Sequence, residues 1–238
     1  MHAKLKIKMQ AHDPIAVLSP HIDDAIFSCW HLLGQPDVTV INVFAGIPKS
    51  GTKTLWDWMC GEPDSVAMMH KRLSENKTVL KNTGVNYINF DYLDRQYKPV
   101  KYNVAEMADR LLAQIKSNPV FYAPLAGGKL WRHPDHVTIR DLGKELKKRG
   151  KKVIFYADIP YMQMPFGPIS AYRVRMSRRA SKLLKFKLTA RISELNNLEQ
   201  KLKNESMHEF KSQFKATNLM SFGTLGRQAN CKWEVTFE

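Results

Sequence analysis

The chain has 238 residues, 44% hydrophobic and 10% aromatic, a composition that supports a folded core and excludes a disordered chain. No apolar run approaches the roughly 18–20 residues of a membrane span. The first thirteen residues, with Lys4, Lys6 and Lys8 among apolar ones, lack the unbroken apolar stretch of a signal peptide, so a cytoplasmic location is expected.

Strand-like and helix-like segments alternate along the first two thirds. An apolar run at 15–19 stops at Pro20, and a helical pattern over 23–33 ends at Gly34. A β-branched run at 38–45 is stopped by Gly46. Residues 44–65 then hold Gly46, Pro48, Gly51, Gly61 and Pro63 around Trp56 and Trp58, a loop long enough to be functional. Helices are expected over 65–82, with Gly84 as C-cap glycine, over 104–115, and over 136–148 before Gly150. Strands are expected at 85–90, 120–125 and 152–157. This alternation implies βαβ units, a parallel sheet and right-handed crossovers.

Past Tyr161 the pattern changes. Pro160, Pro165, Gly167 and Pro168 break the chain, residues 173–191 carry eight Lys or Arg and no acid, and a helical pattern covers 192–214. With no internal repeat, the expectation is one α/β domain over 1–238, with a core over 1–161 and a helical cap on the sheet over 162–238. Cys29, Cys60 and Cys231 make no CxxC pair and no disulfide framework. Cys29 reads as a small buried thiol.

Two stretches carry chemistry. Ser19-Pro20-His21-Ile22-Asp23-Asp24 closes the first expected strand, and His133-Pro134-Asp135-His136 follows the fourth. In an open α/β sheet, ligands bind at the carboxyl ends of strands where the strand order reverses. With the common order 3-2-1-4-5, strands one and four are neighbours, and the two stretches pool three His and three Asp. Imidazole and carboxylate suit zinc, and a catalytic zinc takes three protein ligands and leaves a position for water. One carboxylate of the Asp23-Asp24 pair can bind metal while the other takes a proton, and spacing does not say which. Taken alone, the first stretch reads as a capping carboxylate pair and the second as a polar turn entering a helix.

Together the two stretches resemble the LmbE-like, or PIG-L-type, zinc N-deacetylases, whose hallmarks are PHxDD after the first strand and HPDH further on. Weaker echoes are Arg72-Leu73-Ser74-Glu75 for the family's RxxE, residues 156–161 for a strand ending in D-x-P-Y, and Phe210-Lys211-Ser212-Gln213 for its Y-x-S-Q helix. The resemblance implies a Rossmann-like, mostly parallel sheet with helices on both faces. It implies zinc on His21, Asp24 and His136, Asp23 as general base, and His133 as oxyanion stabiliser or proton donor to the leaving amine. It also implies that Asp135 orients a catalytic histidine and that Arg72 meets substrate. Arg72 has a simpler alternative, an exposed helical pair with Glu75. Ile22 stands where the family commonly has Pro, Ala25 where it has Glu, Trp30-His31 where it often has a Gly pair, and Arg132 where the residue before HPDH is usually small. These departures alter the pocket wall and rim and leave every implied ligand in place.

The implied reaction is hydrolysis of an N-acetyl group from an N-acetylglucosamine-type conjugate, releasing acetate and the free amine. The formal net charge of +15 favours an anionic aglycone and a peripheral contact with anionic membrane. Trp56 and Trp58 are candidates for stacking on a sugar face. The competing reading is a basic membrane- or nucleic-acid-binding module without catalysis, which needs no pair of metal-type motifs at strand ends, and no specific nucleic acid is expected. A nucleotide-dependent enzyme is disfavoured because Pro20-His21 stands where a glycine-rich turn would follow the first strand.

Overall fold

Residues 15–19 are buried at every position, the pattern of a strand covered on both faces. In the computed structural model, which describes residues 13–98, 101–115, 117–127, 133–159, 169–220, 226 and 231–238, this segment is β1 (Ile15–Ser19), the middle one of five parallel strands. It pairs in parallel with β2 (Val38–Asn42) on one side and β4 (Val120–Pro124) on the other. β3 (Asn86–Asn89) continues in parallel beyond β2, and β5 (Val153–Tyr156) beyond β4. Two further strands, β7 (Trp233–Phe237) and β6 (Ala190–Glu194), extend the sheet antiparallel past β5. The order is β3-β2-β1-β4-β5-β7-β6. It contains the expected 3-2-1-4-5 and places the reversal between β1 and β4.

Helices cover both faces. On one side α5 (Val104–Gln114), α6 (Pro134–Lys148) and α7 (Ile169–Leu184) bury Met107, Leu111, Ile139, Leu142 and Met176 against Phe121 and Phe155. On the other, α1 (Asp24–Ser28), α2 (Trp30–Leu33), α4 (Ser65–Thr83) and α8 (Asn197–Glu209) bury Ile26, Leu32, Val79 and Met207 against Val17 and Val40. Cys29 is buried in this second cluster, as expected. α6 sits hard on the sheet. A Cβ on Gly143 would come within 2.7 Å of the Ala123 Cβ and 3.1 Å of the Phe155 ring. That close approach fixes the helix whose first turn carries Asp135 and His136.

Five expectations need correction. The helical pattern over 23–33 is two helices, because Cys29 has φ −132° and ψ 29°, outside the helical region. The second strand stops at Asn42 rather than 45. The loop at 44–65 contains a helix, α3 (Leu55–Met59), capped by the Thr54 hydroxyl. The C-terminal third is not a purely helical cap, since β6 and β7 join the sheet. The helical pattern over 192–214 begins inside β6 and turns helical at Asn197, where Asn196 and Glu199 form a capping box. It then breaks at Phe210 before α9 (Lys211–Met220). Most of the basic run at 173–191 is α7. Arg132, the proline-rich stretch at 160–168 and residues 1–12 lie outside the described residues.

The break at Cys29 has a remote cause. Glu234 of β7 accepts the backbone N–H groups of Trp30 (3.0 Å) and His31 (2.8 Å), capping α2 from two hundred residues away, and meets His31 Nδ1 at 2.5 Å. Lys203 of α8 closes an ion pair with the same carboxylate, and both side chains are wholly buried. Burial pushes the Glu234 carboxyl up, but Lys203 and then His31 outweigh it and hold it at about 2, against an ordinary value of 4.5. Because the folded state holds this carboxyl below its unfolded value, its contribution is complete above pH 4.5 and is lost as pH falls toward 2. Removing one member of a buried pair costs about 3–5 kcal/mol. Lys203→Met should therefore lose about that much in a urea melt at pH 7, with the difference from wild type narrowing below pH 4.5.

Candidate active site

The loop leaving β1 is set by its own backbone and by Ser19. The Ser19 hydroxyl donates to the His21 carbonyl (2.5 Å) and accepts the Ala25 N–H (3.0 Å). The His21 N–H donates to Asp24 Oδ2 (2.8 Å). Asp23 occupies the N-cap of α1, yet its side chain makes no capping bond, so the capping account of the two carboxylates fails. The second stretch opens α6, with His133 at the N-cap, its Nδ1 accepting the Asp135 N–H at 3.3 Å, and Pro134 at the first helical position.

The two stretches meet. Asp24 Oδ2 lies 3.3 Å from His21 Nδ1 and 3.2 Å from His136 Nε2. The outer nitrogen of each imidazole faces a further carboxylate. His21 Nε2 is 3.3 Å from Asp135 Oδ2, and His136 Nδ1 is 2.9 Å from Asp158 Oδ2. His133 completes a triangle of rings, with centroids 4.7 Å from His21 and 5.6 Å from His136. Ligand nitrogens of all three lie within 4.8 Å of one another. Asp135 thus stands nearer to His21 than to His133, whose Nδ1 is 3.9 Å away.

The surroundings sort these groups by charge. Burial alone would raise the Asp24 carboxyl, but His136 and His21 hold it far below the usual carboxylate range. Asp23 is raised, first by burial and then by Asp24, against the opposing pull of Arg72 and His21. Burial tends to lower His136, but Asp24 and Asp158 lift it to about 9. Burial and the two neighbouring imidazoles push His133 down to about 3.

Arg72 is buried, with its Nη1 3.6 Å from Asp94 Oδ2. Its simpler alternative fails. Glu75 instead accepts the backbone N–H (3.0 Å) and hydroxyl (2.6 Å) of Ser212, which joins the RxxE and Y-x-S-Q stretches. Trp56 and Trp58 part company. Trp56 Nε1 donates to Gln213 Oε1 (3.1 Å), while Trp58 is 65% exposed. Between them Asp57 is fully buried and accepts the Tyr97 hydroxyl at 3.3 Å.

Three groups were not assigned roles from sequence. Asp94 lies 3.6 Å from His21 Nε2, Asp158 supports His136, and Asp57 faces inward. Asp94 and Asp158 follow the carboxyl ends of β3 and β5, so position along an alternating sheet was the signal for Asp94, and for Asp158 the D-x-P-Y stretch that contains it was a second one. For Asp57 the signal was hidden between two conspicuous tryptophans.

The donor set fits a divalent ion of zinc type. Imidazole nitrogens and carboxylate oxygens converge, no thiol belongs to the cluster among the described residues, and His21 and His136 each have a carboxylate behind them.

The model of the PIG-L family, GlcNAc-PI de-N-acetylase, matches residues 16–147, more than half of the chain. The chain belongs to the PIG-L family. It is therefore a deacetylase, a hydrolase whose family removes N-acetyl groups from amino-sugar conjugates. No curated protein sequence gives a match. The PIG-L fold is shared with solved structures of low sequence identity. Teicoplanin deacetylase Orf2 in a zinc-inhibited form superposes with TM-score 0.71 at 21% identity, over 94% of this chain and 97% of that one. The A40926 pseudoaglycone deacetylase Dbv21 gives 0.67 at 21%, over 95% and 97%. The N,N'-diacetylchitobiose deacetylase from Pyrococcus horikoshii gives 0.55 at 14%, over 95% and 83%. Among the described residues no helix is long and apolar enough to cross a membrane.

If the paired imidazoles hold a metal, His136→Ala should lose most of the bound zinc measured by elemental analysis after gel filtration, because a three-ligand site loses much of its affinity with one ligand. Full zinc content in that variant would move the metal elsewhere.

Proposed function

We propose that this PIG-L protein hydrolyses the N-acetyl group of an N-acetylglucosamine-type conjugate, using zinc held by His21, Asp24 and His136. The observation that carries the reading is Asp24 lying between two imidazoles, each backed by its own carboxylate. Such backing is the usual outer support of a histidine that ligates metal. When bound, zinc supplies Lewis acidity toward the amide carbonyl and toward water.

The protein's own groups divide the remaining work. Asp23, free of capping duty and with its proton affinity raised, accepts the proton of the attacking water. His133 stays neutral beside so much positive charge, so it serves as an N–H donor to the oxyanion of the tetrahedral intermediate. A neutral imidazole with so low a proton affinity is a poor acid. The proton for the departing nitrogen is better returned by Asp23, which has just received it. Arg72, buried beside Asp23 and Asp94, offers guanidinium donors to the sugar. Trp58, exposed on α3, is the better placed of the two tryptophans to stack on a sugar ring, and Trp56 contributes to that wall through Gln213.

The basic run divides as well. Arg179 donates to the Gly127 carbonyl in the loop that leads toward His133, and Arg173 to the Ala190 carbonyl at 3.3 Å. Arg175, Arg178 and Lys182 are exposed on α7 and enter no ion pair among the described residues. These three carry the attraction for an anionic aglycone or an anionic membrane surface.

Asp23→Asn should retain zinc and lose about 100- to 10,000-fold in acetate release, since Asn is nearly isosteric but takes no proton. Near-normal turnover would place the base elsewhere. Changing Arg175, Arg178 and Lys182 together to Gln should weaken low-salt binding to anionic vesicles and kcat/KM for an anionic N-acetylated sugar. Both effects should fade as ionic strength shortens the Debye length to about 8 Å. Unchanged values at low salt would make the stripe a solvated face only.

A further inference from the structure

Asp158 takes no proton and meets no substrate in the hydrolysis derived above; it backs His136, is wholly buried, and has both of its oxygens occupied. Oδ1 accepts the backbone N–H of Ala126 at 2.9 Å, and Oδ2 stands 2.9 Å from His136 Nδ1. Ala126 has φ +49°, a left-handed conformation that a residue with a Cβ adopts only when its surroundings hold it. One residue earlier, the Leu125 N–H donates to the Tyr156 carbonyl at 2.8 Å. The start of the loop from β4 toward His133 is thus pinned to the β5 segment twice.

We propose that Asp158 is a positioning residue. One carboxylate selects the tautomer and ring angle of His136 and also holds the left-handed bend that begins the loop leading to His133. The proposal rests on the reading of His136 as a metal ligand. A carboxylate only accepts, so His136 Nδ1 must carry the hydrogen. Nε2, which lies 3.2 Å from Asp24 Oδ2, is the nitrogen that faces the cluster and would offer its lone pair to a metal held there. Both partners of Asp158 are N–H donors. The position therefore demands two acceptor oxygens and tolerates no donor. Asparagine has the right size but would set its NH2 group against one of the two N–H groups.

That mismatch makes Asp158→Asn the informative variant. The folded, metal-stripped protein is titrated with zinc against a chromophoric chelator, and with cobalt, whose visible absorption reports ligand geometry. The expected result is a zinc affinity about 10- to 100-fold weaker than wild type, with an altered cobalt spectrum. A residue that merely stabilised the fold would lower Tm and leave both readings unchanged, and an affinity within about twofold of wild type overturns the proposal. Should Asp158→Asn fail to fold, the tautomer of His136 in metal-free wild type decides, read from 15N-histidine NMR. A hydrogen on Nδ1 supports Asp158 as its acceptor, and a hydrogen on Nε2 alone overturns it. If wild type binds neither zinc nor cobalt, the metal reading fails, whereas the tautomer still reports on Asp158 independently.

Discussion

Five carboxylates, Asp23, Asp24, Asp94, Asp135 and Asp158, are buried around one crevice at the carboxyl ends of the parallel strands. An isolated buried carboxylate is so costly that it protonates or finds a cation. Here the cations are unevenly shared. Asp24 has two imidazoles and is held ionised, and Asp94 has His21 and Arg72 and is held at about 2 despite its burial. Asp23 has the Asp24 charge beside it and is driven the other way. Groups of the same type pushed apart in proton affinity are the mark of a site with divided acid and base duties. The same field keeps His133 neutral. The electrostatic constraint thus orders the cluster into ligand-like, base-like and donor-like members before any substrate is considered.

The sheet makes the cluster possible. β1 and β4 are adjacent because the chain builds outward on one side of β1, returns, and builds outward on the other. Loops that leave neighbouring strands in the same direction then face one another across the switch point. The apolar contacts of Ile139, Leu142 and Leu146, with the bare Gly143 against Ala123, hold α6 at one depth and one rotation. The position of His136 is therefore set by packing about one to three turns further along the helix, and the chemistry inherits its precision from the core.

Much of this was legible in the sequence, for identifiable reasons. Four of the five parallel strands announced themselves because strands buried on both faces read as short apolar runs between helical patterns, while the edge strand β3 is only half-buried and was marked mainly by the glycine that ends the helix before it. His21, Asp24, His133 and His136 stood out because their spacing follows strand ends. The additions at the far side of the sheet were not legible. β6 reads as the start of a helical pattern, and its partner β7 lies some forty residues later with no turn between them to signal a hairpin. The break at Cys29 was hidden because its cause, Glu234, is remote in sequence. Asp57 and Asp94 gave no motif of their own, and Asp158 stood in the D-x-P-Y echo without a role attached to it. Single acids on loops are common, and only the fold shows which of them point inward.

The placement of β7 also bears on how the molecule is made. It comes latest of the strands in chain order, yet it lies between β5 and β6. A ribosome-bound chain that has emerged only as far as residue 225 has β5 as an open edge, no strand to join β6 to the sheet, and no acceptor for the N–H groups that begin α2. Synthesis proceeds at about 5–20 residues per second, so this state lasts for a definite interval, with unpaired backbone of the kind that recruits other strands. Insertion of a single five-residue strand ends it, joining both sides of the sheet and delivering Glu234 to Lys203 and the start of α2 at once. The loop that carries His21 and Asp23 leads straight into α1 and α2, so the nascent protein acquires its finished active-site framework only after β7 has left the ribosome.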